Sequence, residues 1–168
     1  MAKQKRMILP VVSLGSEYLV IGNLMRRNIM TYKAPPGNEG YDLICIHPDP
    51  KKNKKPVRVQ VKSRYATDAY RTVPLNEKSL EAFDFLIMAF LNIGKFFGKN
   101  DGTNGEEKAQ FYTFPREFIL KHHEKTSKWQ QVNLRKLEFD EIELYRDEKG
   151  YEQIAEALGI PKPQKRLG

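Results

Sequence analysis

Several features that define common protein classes are absent from the sequence or scarce in it. Cys45 is the only cysteine, so the chain can form no internal disulfide and no zinc site built from several cysteines. The longest apolar run, residues 83–93, contains Asp84 and is too short to span a bilayer. The basic start is followed by a poor signal core, Met7–Val12, which Pro10 interrupts. The sequence therefore predicts a protein of the reducing cytoplasm without a membrane partner.

Acidic residues are outnumbered by basic residues, 21 against 29, which gives a formal net charge of +8. This surplus favours a polyanionic partner, most simply nucleic acid, but a soluble surface rich in lysine gives the same balance. Neither a Walker-type phosphate loop nor a G-x-S-x-G elbow occurs. The length of 168 residues suits one domain with a proper core. We expect an N-terminal segment at residues 1–12, a single domain at 13–160 and a basic tail at 161–168.

The order of predicted elements indicates the fold class. A helix with apolar residues on one side is followed by short strands, and later strands alternate with helices. The predicted helices cover residues 13–27, 115–122 and 151–158, and the predicted strands cover 29–33, 41–44, 57–62, 83–91 and 110–113. Residues 129–134 are an ambiguous strand. This order predicts an α/β domain with a mixed sheet and helices packed on it.

The most informative segment is a predicted β-hairpin. Three valines alternate with Arg58, Gln60 and Lys62 over residues 57–62, so the two sets face opposite sides of a strand. The preceding strand begins near Asp42, and a loop rich in proline and charge joins the two. An antiparallel hairpin would therefore place Asp42 near Gln60 and Lys62, far from the turn. A carboxylate, an amide oxygen and an ammonium group at one place suit Mg²⁺ and a phosphate.

The first predicted helix carries an acidic residue on its predicted buried side. Leu14, Ile21 and Leu24 form an apolar stripe, and Glu17 falls on that stripe. A carboxylate at an inward position needs a partner. A lysine, Arg26, a metal ion or water at the rim could each provide it.

These residues resemble the motifs of the PD-(D/E)XK nuclease superfamily, whose core has the restriction-endonuclease-like fold. The resemblance covers residues 13–120, and its motifs are short. The resemblance is more specific to one branch of this superfamily, which holds some intron-encoded homing endonucleases. In that branch, glutamine stands where most members of the superfamily carry an acid. The matching segments are Gly15-Ser16-Glu17-Tyr18-Leu19-Val20, Gly40-Tyr41-Asp42-Leu43-Ile44 and Val59-Gln60-Val61-Lys62-Ser63.

The resemblance implies a metal-dependent enzyme that hydrolyses phosphodiester bonds in DNA with Mg²⁺ or Mn²⁺. Asp42 and the Val61 carbonyl would bind the metal, and Gln60 would offer a neutral and therefore weaker oxygen ligand. Glu17 would add negative charge directly or through water. Lys62 would orient the attacking water and neutralise charge on the scissile phosphate. Because Gln60 stands in place of an acid, the site could bind a single metal ion, bind metal more weakly or have no catalytic activity. Two alternative functions are an inactive nucleic-acid-binding module and a hydrolase of small phosphate substrates.

Basic residues around the hairpin are candidates for DNA contact. The loop lysines could each hold a phosphate, although a solvated hairpin tip explains them equally well. Arg64 lies just past the predicted strand at residues 57–62, so it is a stronger candidate than the loop lysines for contact near the scissile phosphate. The candidates are Lys51, Lys52, Lys54, Lys55 and Arg64.

Relatives in this superfamily often act as dimers, because cutting both DNA strands needs two active sites. A homodimer is therefore a further expectation. Phe96 and Phe97, in a polar context, could serve such a contact or close the core.

Overall fold

The structure is a computed structural model that describes residues 10–52, 55–64, 72–93, 108–126 and 130–163. Within these ranges, four α-helices and eight strands follow one another in the order expected of an α/β domain. The helices are α1 (Pro10–Met25), α2 (Arg116–His122), α3 (Phe139–Glu143) and α4 (Asp147–Ala157). The strands are β1 (Met30–Lys33), β2 (Leu43–Ile46), β3 (Val57–Arg64), β4 (Thr72–Pro74), β5 (Phe85–Phe90), β6 (Gln110–Pro115), β7 (His123–Glu124) and β8 (Gln131–Asn133).

The main sheet is mixed, as the sequence predicts. Its five strands run in the order β1-β2-β3-β5-β6. All neighbours are antiparallel except β3 and β5, which are parallel. Strands β4, β8 and β7 form a second, three-stranded sheet. The predicted fold class, a mixed central sheet flanked by helices, is therefore confirmed.

One face of the main sheet is covered by α1 and α4. The three valines of β3 are buried on this face, so the predicted alternation is confirmed. Val20 and Leu24 of α1 and Tyr151 and Ile154 of α4 pack in the same cluster. Cys45 also lies in this core, and burial raises the pKa of its thiol to about 12, so it is a core side chain rather than a reactive one.

The opposite face is covered over only part of its width. A second core packs the side chains of β5 and β6 against α2, α3 and the small sheet. Leu86 and Met88 of β5 and Phe114 of β6 are fully buried there. Within the described residues, this core takes no member from β1, β2 or β3. In the described part of the chain, this second layer therefore does not extend over β1 and β2, and on β3 only Gln60 is buried on this face.

Helix α1 departs from the prediction in where it begins and in which side it buries. Within the described residues it starts at Pro10, before the predicted start at residue 13. Its fully buried residues are Ser16, Val20 and Leu24, whereas Leu14 is 43% exposed, so the predicted stripe was wrong at that position. The reason is that Glu17 is the only charged residue in the helix, and hydrophobicity therefore does not distinguish its faces.

Helix α4 begins at Asp147 rather than at residue 151, and α3 was not predicted. Gly150 allows the earlier start, because a Cβ there would lie 2.3 Å from the Tyr145 carbonyl oxygen and 2.8 Å from Thr113 Cβ. The helix thus packs against β6 at a close approach that only glycine permits. The helix ends at Ala157, one residue before the predicted end at 158, and Gly159 follows with φ at 71°.

An ion pair joins the parallel strands of the main sheet at their start. The Asp84 carboxylate accepts hydrogen bonds from the Arg58 backbone N–H at 2.8 Å and from its guanidinium at 3.0 and 3.2 Å. Burial raises the pKa of the Asp84 carboxyl, but the hydrogen bonds and charge of Arg58 outweigh burial and lower it overall. This pair stabilises the register of β3 and β5 above the acid range.

Three residues singled out in the sequence, Lys54, Phe96 and Phe97, lie outside the described residues, as does residue 129 at the start of the ambiguous strand. No helix in the described ranges combines the length and apolarity needed to cross a bilayer.

Candidate active site

Gly40 makes a close contact just before the chain enters β2. Gly40 has φ at 91°, and a Cβ at this position would lie 2.2 Å from Ala82 Cβ. Glycine is therefore required both by backbone conformation and by space. Two residues later, the Asp42 N–H donates to the Val59 carbonyl at 2.9 Å, and its own carbonyl accepts from Ala34 N–H at 2.8 Å. The backbone of Asp42 is thus fixed between β1 and β3.

The Asp42 carboxylate is held by β3, the strand that carries Gln60 and Lys62. Its Oδ2 accepts a hydrogen bond from the Val61 backbone N–H at 2.7 Å and another from Gln60 Nε2 at 3.1 Å. The Gln60 side chain is buried at 9% exposure. The predicted proximity of Asp42 and Gln60 is therefore observed, and the orientation of the carboxylate is fixed by two donors.

The same contact locates the Val61 carbonyl. In a β-strand, the N–H and C=O of one residue point to the same side. The Val61 N–H points toward Asp42, at the point where β2 has not yet begun. The Val61 carbonyl therefore faces the side on which the Asp42 carboxylate lies.

Lys62 extends from β3 on the same face as Gln60, because the two are two residues apart in one strand. It is half-buried and lies opposite Met88 in the parallel pairing with β5. Among the described residues, its ammonium group makes no hydrogen bond or ion pair. Lys62 thus presents a cation on the face of Gln60 that no described residue neutralises.

Glu17 reaches the same end of the sheet from the other side. Its carboxylate forms an ion pair with Lys33 of β1, so a lysine rather than Arg26 is its partner. Lys33 lies opposite Leu43, the residue that follows Asp42. Glu17 is therefore near the Asp42 end of the strands, on the α1 side, while Gln60 and Lys62 extend from the opposite face.

The donor set determines whether a metal ion suits the site. Within the described ranges, no three His, Cys, Asp or Glu side chains are grouped for metal binding. Asp42 and the Val61 carbonyl supply oxygen ligands of the kind that Mg²⁺ prefers. Gln60 points its amide nitrogen at Asp42, and a half-turn of the amide would present its oxygen instead. The residues present fit a weak site for one hard cation.

Comparison with known proteins supports the fold. No protein-family model and no curated protein matches the sequence. The bacterial homing endonuclease I-Ssp6803I matches with a TM-score of 0.57 at 17% identity, covering 91% of this chain and 96% of its own. The Holliday junction resolvase Hjc of Archaeoglobus fulgidus matches with a TM-score of 0.51 at 12% identity, covering 90% and 99%. The chain has the restriction-endonuclease-like fold.

On this restriction-endonuclease-like fold, the predicted DNA-contacting residues lie in two places. Lys51, Lys52 and Lys55 are exposed at the hairpin tip, where they line a cavity of about 560 Å³ together with Gly159 beyond α4. Arg64 lies past Lys62 on β3, and its guanidinium donates to the Thr72 carbonyl at 3.3 Å. The tip and the Asp42 site are therefore at opposite ends of the hairpin.

A second cavity next to the site was not anticipated from the sequence. It has a volume of about 390 Å³ and is lined by Tyr41, Ile44, Lys55, Pro56 and Arg58. The available signal was the alternation in β2 and β3, which places Ile44 and Arg58 on the face of Gln60. That this part of the face is uncovered depends on distant segments of the chain, so no local pattern reveals it.

Proposed function

We propose that this protein is a metal-dependent endonuclease that hydrolyses phosphodiester bonds in DNA. The observation that carries the proposal is the Asp42 carboxylate, fixed by Gln60 and Val61. Lys62 extends from the same face as Gln60, and its ammonium group pairs with no described residue. Support also comes from the fold, which is shared with a homing endonuclease and a Holliday junction resolvase. The net charge of +8 suits a polyanionic substrate.

Asp42, the Val61 carbonyl and Gln60 would hold one Mg²⁺ or Mn²⁺ ion. Such an ion lowers the pKa of a bound water and polarises a phosphoryl oxygen. Glu17 would add negative charge at this end of the sheet, through water or after release from Lys33. Lys62 would position the attacking water and neutralise charge that develops on the phosphate.

A second candidate is a catalytically inactive nucleic-acid-binding module on the same fold. Two observations favour it. No group of three metal-ligating side chains occurs in the described part of the chain, and the Gln60 amide already satisfies Asp42. In that case the basic surface binds DNA while Lys62 contributes one charge among many.

A cleavage assay separates the two candidates. Supercoiled, linear, single-stranded and branched DNA are incubated with the protein and Mg²⁺ or Mn²⁺, with chelator in parallel. We expect metal-dependent cleavage of at least one substrate, and parallel preparations of Asp42→Asn and Lys62→Met exclude a contaminating nuclease. Salt-sensitive DNA binding without cleavage of any substrate would support the inactive module instead.

Replacing Gln60 by glutamate is expected to tighten metal binding. The new carboxylate lies beside Asp42, where the amide contact is now 3.1 Å, so the two charges repel until a cation bridges them. We expect Gln60→Glu to lower the melting temperature without metal and to bind Mg²⁺ about tenfold more tightly, because ligand charge tunes affinity. Titration calorimetry and thermal unfolding measure both effects.

The matched control is Gln153→Glu on α4, which introduces the same charge away from Asp42. An equal response to Mg²⁺ in the two variants would contradict a metal site at Asp42.

We also propose that the protein acts as a homodimer in a reducing cytoplasm. Cutting both strands of a duplex needs two active sites. The single cysteine, buried in the core, suits a compartment in which disulfides do not form.

A further inference from the structure

We infer that the uncovered half of the sheet binds an unpaired segment of the DNA strand that leads into the Asp42 site. This surface, named the open face, consists of Tyr32, Tyr41, Ile44, Lys55 and Arg58. The inference rests on the proposed function for its substrate, but its evidence is the coverage, register and charge of the sheet.

The register places the open face directly beside the candidate site. Tyr32 of β1 lies opposite Ile44 of β2, which lies opposite Arg58 of β3, so these side chains form one row across three strands. The Asp42–Gln60 contact is the next row on the same face. Two residues along a strand span about 7 Å, so the open face begins about that far from the Asp42 carboxylate.

The open face is available for a ligand in this chain. Tyr32 is 53% exposed, and Ile44 and Arg58 are half-buried; within the described ranges, none of the three belongs to the second core. The cavity of about 390 Å³ lies here, between Tyr41 and Lys55. By contrast, Leu86 and Met88 of β5, which pair with Gln60 and Lys62, are fully buried under the second core.

The chemistry of the open face suits single-stranded nucleic acid. Proteins bind such strands by stacking bases on aromatic rings and by attracting phosphates with cations. Tyr32 supplies an exposed ring, and Tyr41 supplies a half-buried ring that also packs against the second core. Lys55 supplies a cation that makes no ion pair with a described residue. The charge of Arg58 is balanced by Asp84, so Lys55 is the main electrostatic contact on this surface. No acidic side chain is among the five residues of the open face.

The test compares two tyrosines on opposite faces of the sheet. Tyr32 and Tyr18 are 53% and 57% exposed, and Tyr18 lies on α1, which covers the other face. Binding of a fluorescently labelled DNA with a single-stranded segment is measured by anisotropy in chelator, which removes the metal that cleavage would require. We expect Tyr32→Ala to weaken binding at least about fivefold and Tyr18→Ala to leave it unchanged, since stacking contributes about 1–3 kcal/mol per base.

Tyr32→Phe retains the ring and is expected to bind like the wild type, which separates loss of stacking from misfolding. Lys55→Ala should reduce the slope of log affinity against log salt by about 0.7, the value for one phosphate contact to a single strand. Lys149→Ala on α4, an exposed lysine on the covered side, should not change that slope.

The outcomes distinguish this inference from the proposed function. If DNA is cleaved but Tyr32→Ala and Tyr18→Ala bind alike, the inference is overturned and the nuclease proposal stands. If DNA is never cleaved and only Tyr32→Ala loses binding, the open face is a nucleic-acid site on an inactive module. Loss of binding in Tyr32→Phe equal to that in Tyr32→Ala would also overturn the stacking contact.

Discussion

Asp42→Asn should lower the rate of DNA cleavage at least about a hundredfold, because a ligand carboxylate supports metal chemistry that is worth several kcal/mol. Asparagine keeps the size and shape of aspartate. Its Oδ1 can still accept the hydrogen bond that the Val61 N–H donates at 2.7 Å, so the start of β2 is expected to stay folded. The loss should therefore appear in single-turnover cleavage at saturating protein, with little change in the melting temperature.

The same substitution at the other end of the hairpin supplies the control. Asp49 lies in the turn after β2, where its carboxylate accepts a hydrogen bond from the Lys51 N–H at 3.0 Å. Asp49→Asn removes one charge from the same hairpin and preserves that acceptor. We expect it to cleave like the wild type, and equal cleavage by both variants would place the chemistry elsewhere.

The hairpin could be predicted because several local signals agree. Three valines alternate with polar residues in β3, and a slip of one residue would move the polar set into the core. A loop with proline at both ends joins the strands, so the register follows from the sequence. The contact between Asp42 and Gln60 is a consequence of that register.

The position of Glu17 could not be predicted in the same way. Helix α1 has apolar residues on nearly every side, and Leu14 and Val20 are equally good candidates for burial by pattern alone. The choice depends on where β1 lies, and this strand also provides Lys33 as the partner of Glu17. The orientation of the Glu17 carboxylate thus depends on how α1 packs against β1, which the pattern within the helix does not reveal.

The uncovered half of the sheet and the small second sheet share one cause. Strands β4, β7 and β8 contain two or three residues each, too few for alternation to be visible. The pairing of β4 with β8 joins segments about sixty residues apart, such as Val73 and Val132. The layer that covers this face of the main sheet depends on this pairing. The sequence therefore did not predict how much of the face the layer covers, and it did not predict the open face.

Lys62→Met is expected to abolish most cleavage while leaving DNA binding nearly intact. Losing one cation that stabilises the transition state typically costs about 100- to 1000-fold in rate. Binding loses one phosphate contact among many, so its salt slope should fall by no more than about 1. Methionine retains a flexible unbranched chain, which suits a half-buried position opposite Met88.

The comparison that decides between enzyme and binding module is Lys62→Met against Lys149→Met. Lys149 is exposed on α4, on the covered side of the sheet, so its loss removes the same charge far from Gln60. For an enzyme, the two variants bind similarly but differ in cleavage by at least about 100-fold. For an inactive module, they differ in neither property.

Lys62→Arg is a stricter test of the same role, because it keeps the positive charge of Lys62 and changes the geometry of the charged group. A guanidinium is planar and larger than an ammonium group, and it cannot occupy the same point beside a small nucleophile. We expect Lys62→Arg to bind DNA like the wild type and to remain strongly impaired in cleavage. Full activity in this variant would show that charge alone is required, which would remove Lys62 from the role of positioning water.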